Sequence, residues 1–298
     1  MRWIDRVYGE VSIDDPGVLG VIESPTFRRL RGVRQAGPSA IAFPFKNVTR
    51  FEHSLGVHHL LNRLGAGPRE RMAGLLHDIS HTAFSHAVDF LITSDEQDHH
   101  EGLKPVLLRR PDLARAIERA RFRPEDFFDD SRYPLLERPL PWLCADRLDY
   151  FLRDGLACGE LGRSDAASIL DHLDVADSTI VLTDVDVARR TAALFAEMNR
   201  KWWASPTEAF IYNEFADALR EGLRAGILHD ADLLSEDDLV LARLDASANT
   251  LIAAKLASIR HFDPSLAEGY APRVVPKQRW LDPPVKVDGT VRLLSEWA

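Results

Sequence analysis

The chain has 298 residues, 45% hydrophobic and 28% charged, a balance that suits a folded globular protein and excludes a disordered or fibrous one. A formal net charge of −9 argues against a nucleic-acid track, which needs clustered positive charge. There is no run of about 18 apolar residues to span a membrane and no apolar signal region at the start. The two cysteines, Cys144 and Cys158, give neither a disulfide framework nor zinc spacing. A cytoplasmic location is expected.

In chain order, residues 1–20 read as a short strand or extended arm (VYGEVSI) closed by a turn at Asp14–Pro16. Ser24 followed by Pro25 is a helix start, cap then first-turn proline, and predicts a helix over 24–36 with Leu30 and Val33 on its apolar side. Gly37–Pro38 stops it. A second helix begins at Thr49, turns Leu55, Leu60 and Leu61 inward, and breaks at Gly65–Pro68. Residues 71–101 then carry five histidines, and His77 is followed directly by Asp78. Met72, Leu75, Leu76 and Ile79 stand at helical spacing, so one side of this segment packs inward. The other side would hold His77 with His81 one turn on.

From 103 to 140 the pattern is helical but charged, cut by Pro105, Pro111, Pro124, Pro134 and Pro139. Residues 141–157 form another strong helix, and the alternation STIVLTDVDV within 169–187 reads as half of a small hairpin. Helices follow over 188–203, 206–226 and 236–260, and the tail is extended and proline-broken, with a VDGT turn. No internal repeat is present. These elements make one mostly α domain over 1–298, with a core at about 24–160 and a helical extension and tail at about 188–298.

Ligands able to complete a site around His77–Asp78 must come from firmly helical, apolar-backed segments. His53 in RFEHSLG and Asp146 in ADRLDYFLRD qualify. Two imidazoles and two carboxylates suit a divalent transition ion such as manganese, iron, nickel or zinc. Four ligands on a six-coordinate ion leave two positions, for a water and a substrate oxygen. Such an ion acidifies the water and polarises a phosphoryl group. A lone histidine beside apolar residues is more often structural, and His58, His59, His172, His229 and His261 are read that way. Arg28, Arg29, Arg31 and Arg34 read as a solvated helix side, and Trp202–Trp203 as core or interface. Asp237–Asp238 reads as a helix N-terminal charge preference, and Asp149–Arg153 as a helix pair supporting the fold.

With those residues in place, the chain resembles the HD-domain metal-dependent phosphohydrolases, whose signature is a histidine, a His-Asp pair and a distant aspartate. More narrowly it resembles the deoxynucleoside triphosphate triphosphohydrolases. The matching stretches are SPTFRRLRGVRQAG, RFEHSLGV, AGLLHDISHTAFSH, HHE at 99–101 and ADRLDYFLRD, in order across 24–155. The resemblance implies an HD helical fold with His53, His77, Asp78 and Asp146 as metal ligands. It implies that His81, His86 and His100 crowd the reacting phosphate, with Asp89 and Glu101 orienting them. Arg50 and Arg147 match phosphate-binding positions, while Gln35, Tyr150 and Asp154 match residues that hold the sugar. The implied partner is a nucleotide or another phosphorylated small molecule, with magnesium as a further ion on the phosphates and a homo-oligomer as an assembly open to the fold.

The chain departs from the triphosphate enzymes over 198–212, where they carry several basic residues and a tyrosine. Trp202, Trp203, Pro206 and Phe210 stand near those positions, with Arg200 and Lys201 as the available substitutes. Three readings follow. The first is a triphosphohydrolase-like enzyme. The second is a phosphomonoesterase on a nucleoside monophosphate or a similar small metabolite. The third is a non-catalytic nucleotide-binding module, whose mark would be the loss of a ligand residue. All four are present.

Overall fold

The computed structural model describes residues 1–91 and 99–297, with the side chains of 99–101 also outside the description. His100 and Glu101, expected beside the reacting phosphate, therefore lie outside the described residues. The expected arm is a hairpin: β1 (Arg2–Asp5) pairs antiparallel with β2 (Gly9–Ser12). The expected turn at Asp14–Pro16 instead opens α1 (Pro16–Ile22), because the Asp15 carboxylate accepts from the Gly17 and Val18 amides. After α2 (Pro25–Arg28), the helix expected to run to residue 36 becomes a 3-10 turn at Arg29–Gly32 and then extended chain at Val33. Arg34 bridges to Thr49 there, and Gly32 lies so close to Glu236 that a Cβ would meet its carboxylate.

A short α3 (Ser39–Ala42) precedes α4 (Arg50–Arg63), which starts where Thr49 accepts from the Glu52 amide. Next come α5 (Pro68–Leu76), α6 (His99–Leu108) and α7 (Pro111–Arg119); Pro105 lies inside α6 and Pro111 opens α7. Then α8 (Ala145–Cys158) and α9 (Arg163–Asp171) lead into β3 (Leu173–Ala176) and β4 (Thr179–Leu182). The helix expected over 188–203 is α10 (Val185–Met198) running into a π turn at Asn199–Trp203, followed by α11 (Pro206–Arg224) and α12 (Asp230–Leu233). The helix expected over 236–260 is two, α13 (Asp237–Asp245) and α14 (Thr250–Arg260), because Asn249 caps the second with its side chain.

The tail is more than extended chain. Its VDGT turn joins β5 (Pro284–Val287) to β6 (Thr290–Leu293), with Asp288 and Gly289 both at positive φ, the pair a tight hairpin turn requires. β5 lies parallel to β4 through Leu182 and Val285, so the expected small hairpin is part of a four-stranded sheet.

Among the described residues, buried side chains form two clusters. The larger surrounds α4, α5 and α8, with Leu60, Leu76, Phe151 and Leu152 inside it. The smaller joins Phe84, Val88 and Phe90 to Phe215 of α11 and Leu256 of α14. The turn carrying His77 to His86 crosses between them. No helix among the described residues is long and apolar enough to cross a membrane.

Candidate metal centre

Helix α5 ends at Leu76, so the expected helix face shared by His77 and His81 does not form. The sequence after it, Asp78, Ser80, Thr82, consists of residues whose short polar side chains compete with helical hydrogen bonds. His77 itself stops the helix: its Nδ1 donates to the Gly74 carbonyl at 2.8 Å, meeting one of the oxygens left over at a helix end. The same bond fixes the ring so that Nε2 faces the cleft. The turn beyond is clamped from the second cluster, where buried Asp237 accepts from the Phe84 and Arg34 amides at 2.7 and 2.9 Å. Asp237, read from the sequence as a helix-start charge, is thus also a brace on this turn.

His53 comes from the second turn of α4, and Asp146 from the first turn of α8, where a carboxylate suits the helix dipole. His53 Nε2 lies 3.1 Å from His77 Nε2 and 2.9 Å from Asp146 Oδ1. His77 Nε2 lies 3.4 Å from Asp146 Oδ1. Asp78 borders this trio, its two oxygens 3.4 Å from His77 Nε2 and 3.6 Å from His53 Nε2. Its carboxylate also meets Arg50 at 2.8 Å and His81 at 3.1 Å.

These separations fit a common ion. Ligand atoms about 2.1 Å from one metal and at right angles lie about 3.0 Å apart. The tautomers fit as well. The Gly74 carbonyl can only accept, so His77 carries its hydrogen on Nδ1; Asp149, with Arg153 against it, accepts from His53 Nδ1 at 2.8 Å. Both Nε2 lone pairs then face one space, an arrangement a cation relieves. The field agrees. Burial opposes charge on His53, yet hydrogen bonds to Asp146 and Asp149 and the nearby Asp78 lift its pKa to about 10. Against burial, Arg50 and His77 hold Asp78 well below the usual carboxylate range, and hydrogen bonds from His53 and His77 do the same for Asp146. His53, His77 and Asp146, with Asp78 at the edge, can hold a divalent ion.

Around this centre Arg50 donates to Asp78 and, through Nε, to Ser85 at 3.0 Å. His81 and His86 stack edge to face at 4.8 Å, and His86 Nδ1 sits 2.9 Å from Asp89. A second polar group lies further along α8. Gln35 and Trp203 donate to the two oxygens of Asp154 at 3.1 and 3.0 Å, and Tyr150 meets the Trp203 ring at 5.2 Å. Eight residues from Asp146 to Asp154 span about 12 Å of helix. The structure therefore brings Gln35, Tyr150 and Asp154 together as a set distinct from the ion pocket. Arg147 is placed otherwise: its guanidinium donates to the Trp142 and Arg138 carbonyls at 2.5 and 3.0 Å and holds the turn before α8. Arg200 and Lys201 face outward and pair with Glu197 and Glu160.

Two participants were missed in the sequence. Asp149 is the helix partner of Arg153 as expected, but it also orients His53; its one-turn spacing after Asp146 was the available signal. Trp203, expected as core or interface, packs half-buried against the core, and it also donates to Asp154. The π turn shifts its register by one residue, which α-periodicity conceals.

Replacing Arg50 by alanine is expected to lower kcat/KM by about thirtyfold at saturating metal, the loss of one charge-assisted contact of about 2 kcal/mol. Steady-state kinetics check this, and unchanged values would make Arg50 a brace for Asp78 alone.

Residues 50–154 match the family model described as HD domain. The chain is 37% identical over 261 residues to "Uncharacterized protein YdhJ" of Bacillus subtilis, covering 87% of this chain and 80% of that protein. It is 32% identical over 241 residues to "Metal-dependent phosphohydrolase cns2" of Cordyceps militaris, covering 78% and 70%. A shorter match, 32% over 122 residues and 35% of this chain against 24% of the other, is to "Deoxynucleoside triphosphate triphosphohydrolase SAMHD1 homolog" of Dictyostelium discoideum. This chain belongs to the HD-domain metal-dependent phosphohydrolases and is a hydrolase of phosphoric esters.

Proposed function

We propose that the chain hydrolyses a nucleotide at the phosphorus nearest the sugar, as the triphosphohydrolase-like members of the family do, with His53, His77, Asp78 and Asp146 holding one divalent ion. The observation that supports it best is the pair of polar sets on α8: the ion pocket at Asp146 and the Gln35–Asp154–Trp203 group about 12 Å on. A phosphate and the sugar attached to it would then meet side chains of the same helix. The ion supplies Lewis-acid polarisation of the phosphoryl oxygen and a more acidic water. His81 and His86 stand next to it to hold or pass a proton, with Asp89 fixing the His86 ring. His100 and Glu101 are assigned to the same duty from the sequence. Arg50 offers its fork to the phosphate.

One observation favours fewer phosphates than three. A triphosphate brings about four negative charges, which a tight site meets with arginines, lysines or a second metal such as magnesium. Arg147 donates to the Trp142 and Arg138 carbonyls and faces Glu137 at 3.5 Å, and Arg200 and Lys201 are paired at the surface. Arg50 is the arginine that reaches the ligand set directly.

The test is kcat/KM for one deoxynucleoside as its mono-, di- and triphosphate, with the released product identified. Triphosphate release from the triphosphate substrate at a hundredfold preference supports the first reading. A monophosphate preference of that size, releasing orthophosphate, makes the chain a phosphomonoesterase. No turnover of any of the three under metal saturation removes the nucleotide reading.

A further inference from the structure

The N-terminal hairpin lies outside the matched residues 50–154, yet it touches the machinery of the ion pocket. Tyr8 Oη donates to Asp149 Oδ2 at 2.7 Å, and Asp149 Oδ1 accepts from His53 Nδ1 at 2.8 Å. Arg153 closes the group, donating to Asp149 Oδ1 at 2.7 Å and to Asp5 Oδ2 at 2.9 Å. Asp5 in turn accepts from the Val7 and Tyr8 amides at 2.8 and 3.1 Å, which fixes the hairpin turn that carries Tyr8.

A carboxylate has about four acceptor positions. Asp149 fills them with His53 and Arg153 on one oxygen and with Tyr8 and Arg153 on the other. Its rotation is therefore set from three elements, and one of the three is the hairpin. Asp149, His53 and Arg153 are fully buried, so no solvent stands in for a lost donor. Gly56 lets the group form: a Cβ there would overlap both Arg153 and Asp149. Burial and the adjoining Asp149 charge raise the Tyr8 phenol well above its ordinary range, so it stays a donor.

We propose that Tyr8 is a positioning residue for the metal centre, fixing His53 through Asp149, so that the N-terminal hairpin is part of the ion site. The inference rests on His53 being a ligand. Tyr8→Phe removes one oxygen and keeps the ring, which packs against His59 at 4.9 Å. Partners behind a ligating histidine are worth about 10–100-fold in metal affinity. Tyr8 stands one hydrogen bond further out, so Tyr8→Phe is expected to release metal about fivefold to tenfold faster.

The experiment loads the full chain with manganese(II) and follows its transfer to excess chelator, beside thermal unfolding of the metal-free proteins. Faster release with little change in metal-free unfolding supports the role. Release at the unaltered rate from Tyr8→Phe, while Asp149→Asn releases faster, overturns it, as does an effect confined to unfolding. If His53→Ala also binds and holds manganese normally, the ligand assignment falls and the inference falls with it. None of these readouts requires the substrate, so failure of the nucleotide reading would leave them intact.

Discussion

Alanine at His77 is expected to empty the metal site and lower turnover by about a thousandfold or more, the two losses appearing together. The imidazole would supply one of two Nε2 donors to the proposed ion, since its Nε2 lies 3.1 Å from that of His53. Several kcal/mol of transition-state charge stabilisation depend on that ion, and about 4 kcal/mol corresponds to a thousandfold in rate. A smaller loss accompanies it. His77 Nδ1 closes the end of α5 on Gly74, a hydrogen bond worth about 1 kcal/mol to the fold. Asp146→Asn separates the two effects, since it keeps the size of the side chain and has no part in that helix end. Metal per chain, measured on purified protein, decides the matter. Full occupancy in His77→Ala would remove the histidine from the ligand set, whatever happened to the rate.

The parts of this site legible in the sequence are those set by local rules. Thr49 caps α4 and so fixes where His53 falls, and the acidic first turn of α8 announces Asp146. The ordered motifs then identified the family. Where long-range contacts decide, the sequence was silent. Met72, Leu75, Leu76 and Ile79 continue a helical spacing through a helix that has already stopped. What stops it is a histidine bonded to Gly74, followed by a turn held by Asp237, more than 150 residues away. The four-stranded sheet depends on β5 returning to β4, which neither strand's alternation shows. Tyr8 and Asp149, 141 positions apart, meet because Gly56 leaves room beside them. Glycine in a helix interior ordinarily costs about 1 kcal/mol against alanine, and here that cost accompanies a buried ion pair one helix away.

That ion pair carries the other large expected effect. Arg153→Ala is expected to destabilise the fold by about 3–5 kcal/mol, the range for removing one partner from a buried salt bridge. Its guanidinium is fully buried and lies against Asp149 and Asp5, which are themselves inaccessible. Alanine would leave Asp5 with no cation in a low-dielectric interior and Asp149 with the His53 imidazole alone, and that poorly compensated charge, more than the lost attraction, sets the size. Arg200→Ala gives the contrast. That arginine pairs with Glu197 in open solvent, where such pairs contribute little, and no measurable change is expected. Denaturant unfolding of the metal-free proteins measures both. Since folded domains carry only about 5–15 kcal/mol of stability, the Arg153 variant should unfold at clearly lower denaturant. A shift no larger than that of Arg200→Ala would mean that water reaches Asp149. In that event the carboxylate would no longer be confined by its donors, and the route from Tyr8 to His53 would lose its physical basis.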